Sequence, residues 1–552
     1  MLKQLPFYLS LVLLPIALLV AFNQVPDFSE RPSADIPATI APQVASSGTE
    51  APCPDAKPEW RSAQTIDGVA IAASPLCQPD NPYLVAASVK GINNVSMHTL
   101  MQTNLAEDSL VKGADLDGDG DPDVIDIKLE VVELNGASPD SEALINTFAV
   151  APGIQPGLWV YAPKSRGMAL KHFNTLEAND LLRAPSPVLR VEQGDRVRIT
   201  LENTHYLPHT IHLHGVDHPW QTAAGLDNDG METHAVMPGG SHAYEFTARH
   251  AGTMLYHCHV QTAQHLMMGL KGLIIIEENR PDNWLQTFNV GAGQVRHPAQ
   301  AVLEQHTQEY DLHFQSIDLA LSGIIQRYTD PRLIARDMNR RYNMTESHEN
   351  LFLLNGHAFP YTLRDGSIVA EANQAIKLRV LNGHRSLMGL HIHGHKPTIT
   401  AYDGVTLSKN QQLTRDTIDL APAQRVDLTL STVNDGLHSY GPGAWMLHDH
   451  VETATTSNGM EPGGNMAMLI YQDFLDDQGL PKHHETLFDQ VFNIHYYAKK
   501  LPVWGHDTFA VTLGEPGNAQ PDWPKLLLFG FSVGLSVTCL LFLLRYRPEN
   551  NA

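Results

Sequence analysis

Between about residue 124 and residue 277 the chain alternates apolar and polar positions in short runs: IDIKLEVVEL, VLRVEQGDRVRITLEN, HAYEFTA, TMLYHCHV and LKGLIIIE. Gly, Pro, Asn and Asp separate the runs. A period of two marks strands with one face buried, and turn residues at this spacing mark a β-sandwich. A second series contains EYDLHFQSIDLAL, AIKLRVLN, RVDLTLST, AWMLHDH and NMAMLIY. In both series an H-x-H-G element follows a strand ending L-E-N or V-L-N, and a second H-x-H element comes near the end. The repetition predicts an internal duplication: an all-β chain with one sandwich at 123–280, a linker at 281–300 and a second sandwich at 301–475.

Outside these limits the pattern changes. Residues 1–24 carry Lys3 and then an apolar run, a secretory leader that is either removed or kept as an N-terminal anchor. Residues 25–122 begin as a Pro/Ala-rich spacer and end in DLDGDGDPDVID. There Asp115, Asp117, Asp119, Asp121, Asp123 and Asp126, with Gly120 at the sharp turn, follow a calcium-loop spacing. The last ligand is Asp rather than Glu, so a solvated acidic turn is the alternative. Beyond a C-terminal extension at 476–525, residues 526–544 are apolar and uncharged, with Arg545 and Arg547 behind them, the pattern of a transmembrane helix. Both ends place the sandwiches in the periplasm or another extracytoplasmic space, anchored to the inner membrane.

In such an oxidising compartment Cys53 and Cys77 either form a disulfide or remain free thiols. The formal charge of −23 excludes nucleic acid and anionic membrane surfaces as partners and leaves small cations or neutral molecules.

Four H-x-H pairs dominate the chemistry: His212 with His214, His257 with His259, His391 with His393, and His448 with His450. Residues two apart on a strand face one side, so each pair offers two imidazoles to one surface, and eight imidazoles can hold three metal ions. Imidazole also suits zinc, iron and nickel; Cys258 selects copper. Alternation turns Cys258 away from His257 and His259 towards the sandwich interior, where His209 and His265 complete the two imidazoles and one thiolate of a blue-copper site.

At HTIHLHG, GTMLYHCHVQ, LHIHGH and AWMLHDHVE the chain resembles the multicopper oxidases, in particular the two-domain laccase-like members. The resemblance implies two cupredoxin-like Greek-key domains and about four coppers per chain. It implies a type 2 copper on His212 and His391, and a type 3 pair on His214, His257, His259, His393, His448 and His450. The second domain has Met388 and Asp449 where the type 1 His and Cys belong, so the resemblance places type 1 copper in the first domain only. Family members of this kind are homotrimers with clusters between subunits, and a homotrimer is expected here.

Ala263 stands where the second type 1 His usually lies, and His265 comes two residues later. The axial position then falls on Leu270, with Met267 and Met268 as alternative ligands. Asp229 and Glu452 match the family's proton-relay acids. The expected reaction takes electrons from a phenol, an aromatic amine or a metal ion and reduces O2 to water. A two-domain copper nitrite reductase is the alternative enzyme, but it needs Asp at His212 and does not use the second histidine of each pair. A non-catalytic copper store is the alternative outside enzymes.

Overall fold

The computed structural model describes residues 108–475 apart from gaps at 120–121, 166, 168, 171–174, 180–181, 280–286, 290–292, 297–305 and 307. It also describes residues 106, 481 and 482 and a strand pair, Gln64–Ile66 and Val69–Ile71. The leader, Cys53, Cys77, Asp121 and the 526–544 run lie outside the described residues. Among the described residues no helix is long and apolar enough to cross a membrane.

The alternating runs form two β-sandwiches. In the first, a five-stranded sheet has the order His212–His214, Gly252–His257, Lys271–Glu277, Val188–Glu192, Thr287–Asn289. It covers a sheet built on Val124–Leu134, which pairs with Arg196–Glu202, Leu110–Lys112 and Leu158–Pro163. In the second, a large sheet centred on Gln308–Ile317, Ala375–Gly383 and Arg425–Ser431 covers the sheet Ile368–Ala370, Ala467–Tyr471, Ala444–Asp449, Met388–Ile392, Thr417–Leu420. The expected boundaries shift in two places. Leu110–Lys112, assigned to the extension, joins the first sandwich. The stretch expected as a linker supplies Thr287–Asn289 to the first sandwich and Gly293–Arg296 to the second.

Period-two alternation explains how the sandwiches meet. On Gly252–His257, Met254 and Tyr256 belong to the first core, while Leu255 belongs to a small cluster with Val188, Leu273, Ile275 and Leu381. That cluster joins the five-stranded sheet of one sandwich to the large sheet of the other. Beside it lies a buried ionic network. Arg190 bonds to Glu277 (2.8 Å), Glu309 (3.2 Å) and Asp311; Arg379 bonds to Glu309 and Asp427 (3.2 Å); Thr253 donates to Asp427. Burial alone would expel these charges; the guanidinium groups hold Glu309 well below the usual carboxylate range. At the same interface Gly252 and Gly404 touch, and a Cβ on Gly252 would come within 2.6 Å of Gly404 Cα.

A helical insert interrupts the second series after Ile317. Asp318 caps Leu319–Ser322 by accepting from the backbone N–H of Ala320 (2.7 Å), and Pro331–Arg336 follows. Leu321, Ile324, Ile325, Ile334 and Met338 pack into the first core, and Gln264 donates to the Met338 carbonyl (2.9 Å). The insert thus covers the helix Thr262–Met268. The run SIDLAL, expected as strand, ends its extended part at Ile317 because the Asp318 cap starts a helix.

Removing one partner of a buried ion pair strands the other charge. Arg379→Met is expected to destabilise the metal-free protein by about 3–5 kcal/mol, seen as a lower urea midpoint. An unchanged midpoint would show that the network does not hold the sandwiches together.

Candidate metal centres

Strand register builds the histidine sets. His212 stands opposite His257 and His391 opposite His448, the same antiparallel pairing in both sandwiches. His212, His214 and His257 bring one ring nitrogen each within 4.8 Å of one another, and so do His391, His393 and His448. His259 and His450 complete the sets: the His212–His259 and His391–His450 ring centroids are 5.2 and 5.4 Å apart. Among the described residues no ring of one set packs on a ring of the other. The first set belongs to the sheet facing the second sandwich. The second set belongs to the other sheet of the second sandwich, whose strands supply no residue to the apolar seam between the sandwiches.

Four backbone carbonyls fix the tautomers. A carbonyl only accepts, so Nδ1–H of His212 donates to Asp229 O (2.7 Å) and that of His391 to Asp416 O (3.0 Å). His257 Nδ1–H donates to Cys258 O and His448 Nδ1–H to Asp449 O, both at 3.0 Å. With Nδ1–H so engaged, Nε2 is the nitrogen of each ring that is placed to bind a metal. His448 Nε2 lies 3.3 Å from His393 Nε2, two nitrogens converging as ligands do around a cation.

The third group lies inside the first sandwich. Cys258 follows the last strand residue, its N–H bonds to Leu270 O (3.1 Å), and its thiol is buried and free. Sγ lies 3.2 Å from His265 Nδ1 and 3.7 Å from His209 Nδ1. His265 sits on the helix Thr262–Met268, whose Met267 and Met268, with Leu270 just beyond, are core residues. All three atoms fall within 4.8 Å, and two imidazoles with one thiolate suit copper. Burial raises the Cys258 thiol, a cost that a bound cation removes by holding the thiolate.

In the second sandwich the corresponding place is filled by protein. Met388 is buried, and Asp449 Oδ1 accepts from Gly389 N (2.9 Å) and Val451 N (3.0 Å). Asp449 Oδ2 faces His384 Nδ1 at 3.4 Å.

Asp229 Oδ1 lies 3.5 Å from His212 Nδ1 and 3.8 Å from His218 Nε2, and Glu452 Oε1 lies 3.2 Å from His450 Nδ1. The duplication supplies a further acid that sequence reading missed: Asp416 Oδ2 lies 3.6 Å from His391 Nδ1, as Asp229 does from His212. Doubling the search of the acid near His212 into the second sandwich was the available signal.

In the acidic loop Asp115, Asp117 and Asp123 gather carboxylate oxygens within 4.8 Å. Asp123 Oδ2 accepts from the backbone N–H of Leu116 and Asp117 (3.2 Å). Asp119 donates its N–H to Asp117 Oδ1 (3.2 Å). Asp126, expected to close the loop, lies on the strand Val124–Leu134 and pairs with Arg198, so it stands outside the group of three.

Two multicopper oxidase family models match the chain, at residues 178–281 and 330–461. The iron transport multicopper oxidase FET3 of Candida albicans is 28% identical over 46% of this chain and 35% of its own length. The multicopper oxidase mco of Staphylococcus aureus is 26% identical over 47% of this chain and 48% of its own. A probable nitrite reductase-hydroxylamine oxidoreductase fusion protein of Kuenenia stuttgartiensis is 30% identical over 27% of this chain and 18% of its own. The chain thus spans less than half the length of these curated relatives. Among solved structures, the blue copper oxidase from Nitrosomonas europaea is 23% identical over 71% of this chain and 97% of its own, with a TM-score of 0.47. The chain belongs to the multicopper oxidase family.

Burial favours the neutral form of His209, His257, His265 and His313. Desolvation lowers His257, His265 and His313 to about 3 and His209 well below its usual value. Between about pH 6.5 and 3 the unfolded chain therefore binds protons that the fold does not. Their stabilising contribution is complete above about pH 6.5 and falls with acidification by about 1.4 kcal/mol per histidine per pH unit. Melting temperatures of the metal-free protein should drop steadily from pH 7 to pH 4.5; a flat profile would contradict neutral burial.

Proposed function

We propose that the chain is an extracytoplasmic oxidase of the two-domain type. Its reaction would couple one-electron oxidation of a donor to the reduction of O2, four electrons and four protons yielding two waters. The observation that carries this reading is the position of Cys258: its thiol joins His209 and His265 inside the sandwich, while its chain neighbours His257 and His259 face the other metal set. Copper bound at these residues would supply the one-electron steps and the reduction of O2. His209, Cys258 and His265 would hold the type 1 copper, with Leu270, or alternatively Met267 or Met268, as the further residue at that site. His212 and His391 serve as type 2 ligands, and the other six histidines hold the type 3 pair.

Two observations support completion of the cluster between copies. The first histidine set belongs to the first sandwich's sheet that faces the second sandwich, the second set to the second sandwich's sheet outside that seam, and the His450 side chain is 51% exposed. A homotrimer in which each first sandwich meets a neighbour's second sandwich brings the sets together. Met388 and Asp449 support confining type 1 copper to the first sandwich. The apolar runs at 1–24 and 526–544 support anchoring to the inner membrane. The electron donor is a phenol, an aromatic amine or a metal ion.

The ionic loop of Asp115, Asp117 and Asp123 is proposed as a structural calcium site. Asp123 Oδ1 is buried without a hydrogen-bond partner among the described residues, and desolvation raises its carboxyl to about 6, which a cation would reverse. Asn279, at the end of the first sandwich, donates to Asp117 Oδ2 (2.9 Å), so the loop braces the point where the chain leaves that sandwich.

His212 is the residue that sets oxidase against nitrite reductase, since the latter needs a carboxylate there. Asp229 and Asp416 support the first histidine of each set and are placed to hand protons towards it; Glu452 does so beside His450.

Copper analysis with optical and EPR spectra tests the reading. About four coppers per chain with an intense blue band are expected, and Cys258→Ser should abolish the band while retaining the type 2 signal; two coppers per chain would instead indicate nitrite reductase. Asp229→Asn, Asp416→Asn and Glu452→Gln should each slow oxygen uptake by about 10²-fold or more with the blue band intact. Unchanged uptake would remove that acid from the proton route.

A further inference from the structure

We propose that His205 is a positioning residue for the mononuclear centre, holding His209 through a hydrogen bond and setting how strongly that ring donates to copper. The inference rests on the reading of His209, Cys258 and His265 as copper ligands. His209 turns Nδ1 towards Cys258 Sγ, so its remaining proton is on Nε2. That nitrogen lies 2.8 Å from His205 Nδ1. The backbone N–H of Leu207 also points at His205 Nδ1, at 3.4 Å, which identifies this nitrogen as the acceptor. His209 therefore donates to His205.

His205 is itself fixed from several sides. Its N–H donates to Asn203 Oδ1 (3.0 Å), and Asn203 Nδ2 bridges the carbonyls of Leu207 (2.8 Å) and Val236 (2.7 Å). Its ring lies on Tyr206, centroids 3.9 Å apart, and Trp159 meets it edge-on at 5.0 Å. Its Nε2 faces Glu133 Oε2 at 3.9 Å, a carboxylate that also accepts from Trp159 Nε1 (3.1 Å) and Tyr206 OH.

The duplicated sandwich shows that this loop is built to deliver a histidine to the same place. Asn382 repeats the bridge, to Ser386 O (3.0 Å) and Leu420 O (2.8 Å), and accepts from His384 N (2.9 Å). There Met388 replaces the ligand histidine, and His384 turns to Asp449, the counterpart of Cys258. Where the ligand set is kept, the loop histidine meets a ligand; where it is lost, it meets the residue that replaced the thiol.

An N–H of a ligand ring that gives its hydrogen bond to an imidazole makes that ring a stronger donor and favours Cu(II) over Cu(I). Removing the acceptor should weaken this preference. His205→Phe keeps a flat ring and His205→Leu keeps the bulk of an amide, both without an acceptor; His205→Asn matches the leucine in shape and restores one.

Spectroelectrochemical titration of the blue band of the copper-loaded full chain reads the effect. An about tenfold loss of Cu(II) preference is expected in the Phe or Leu variant, a potential raised by roughly 59 mV, with the Asn variant near wild type. Copper retained only by the Asn variant would support the same role in stronger form. Equal potentials in all four proteins, or loss of copper from all three variants alike, would overturn the inference. A wild type that binds copper without a blue band would overturn the reading of the centre itself.

Discussion

The backbone alternation of one strand governs the rest of the molecule. From Thr253 to His259 successive side chains serve different surroundings: Thr253 reaches the inter-sandwich ionic network, Leu255 the small apolar seam, Met254, Tyr256 and Cys258 the first core, and His257 the metal set. A shift of register by one residue would exchange all of these at once. The strand is held on both sides, by His212–His214 and by Lys271–Glu277, so its register is specified by packing as well as by hydrogen bonds.

The ionic network follows from the same alternation. Arg190, Glu277, Glu309, Arg379 and Asp427 occupy outward positions of strands whose inward positions are apolar. Apolar residues there would pack two sandwiches in many orientations, whereas fork-shaped guanidinium groups accept carboxylates in few. The network therefore gives the sandwich interface direction, and the seam of Val188, Leu255, Leu273, Ile275 and Leu381 gives it apolar burial. One sheet of the second sandwich is thereby engaged at the seam, and His391 and His448 belong to its other sheet.

Much of this was legible in the residues. Every quoted run from IDIKLEVVEL to NMAMLIY contains a strand, and the inward turn of Cys258 followed from its place between two histidines on a period of two. What escaped depended on distance in the chain. Asp416 lies 25 residues after the histidine it supports, and its contact uses a backbone carbonyl, for which no residue type is diagnostic. His205 stood out in no sequence motif, because its role appears only once the fold sets its Nδ1 2.8 Å from His209 Nε2. The helical insert was hidden because Ile317 to Leu321 continues an apolar strand pattern until Asp318 caps it. Asp126 fits the calcium spacing by count, but the strand beginning at Val124 carries it to Arg198.

The insert after Ile317 bears on how the first centre meets its surroundings. His209 and Cys258 are fully buried and His265 is 2% exposed, because helices from the second half of the chain close over the helix that carries His265. If it holds copper as proposed, a centre enclosed in this way would exchange electrons with the outside but not molecules. A donor would be ranked by its own reduction potential and by the tunnelling distance it can reach at the surface, rather than by how well it fills a pocket around the metal. Any breadth towards chemically unrelated donors would then be a property of the covering layer, and selectivity would have to be written on its outer surface.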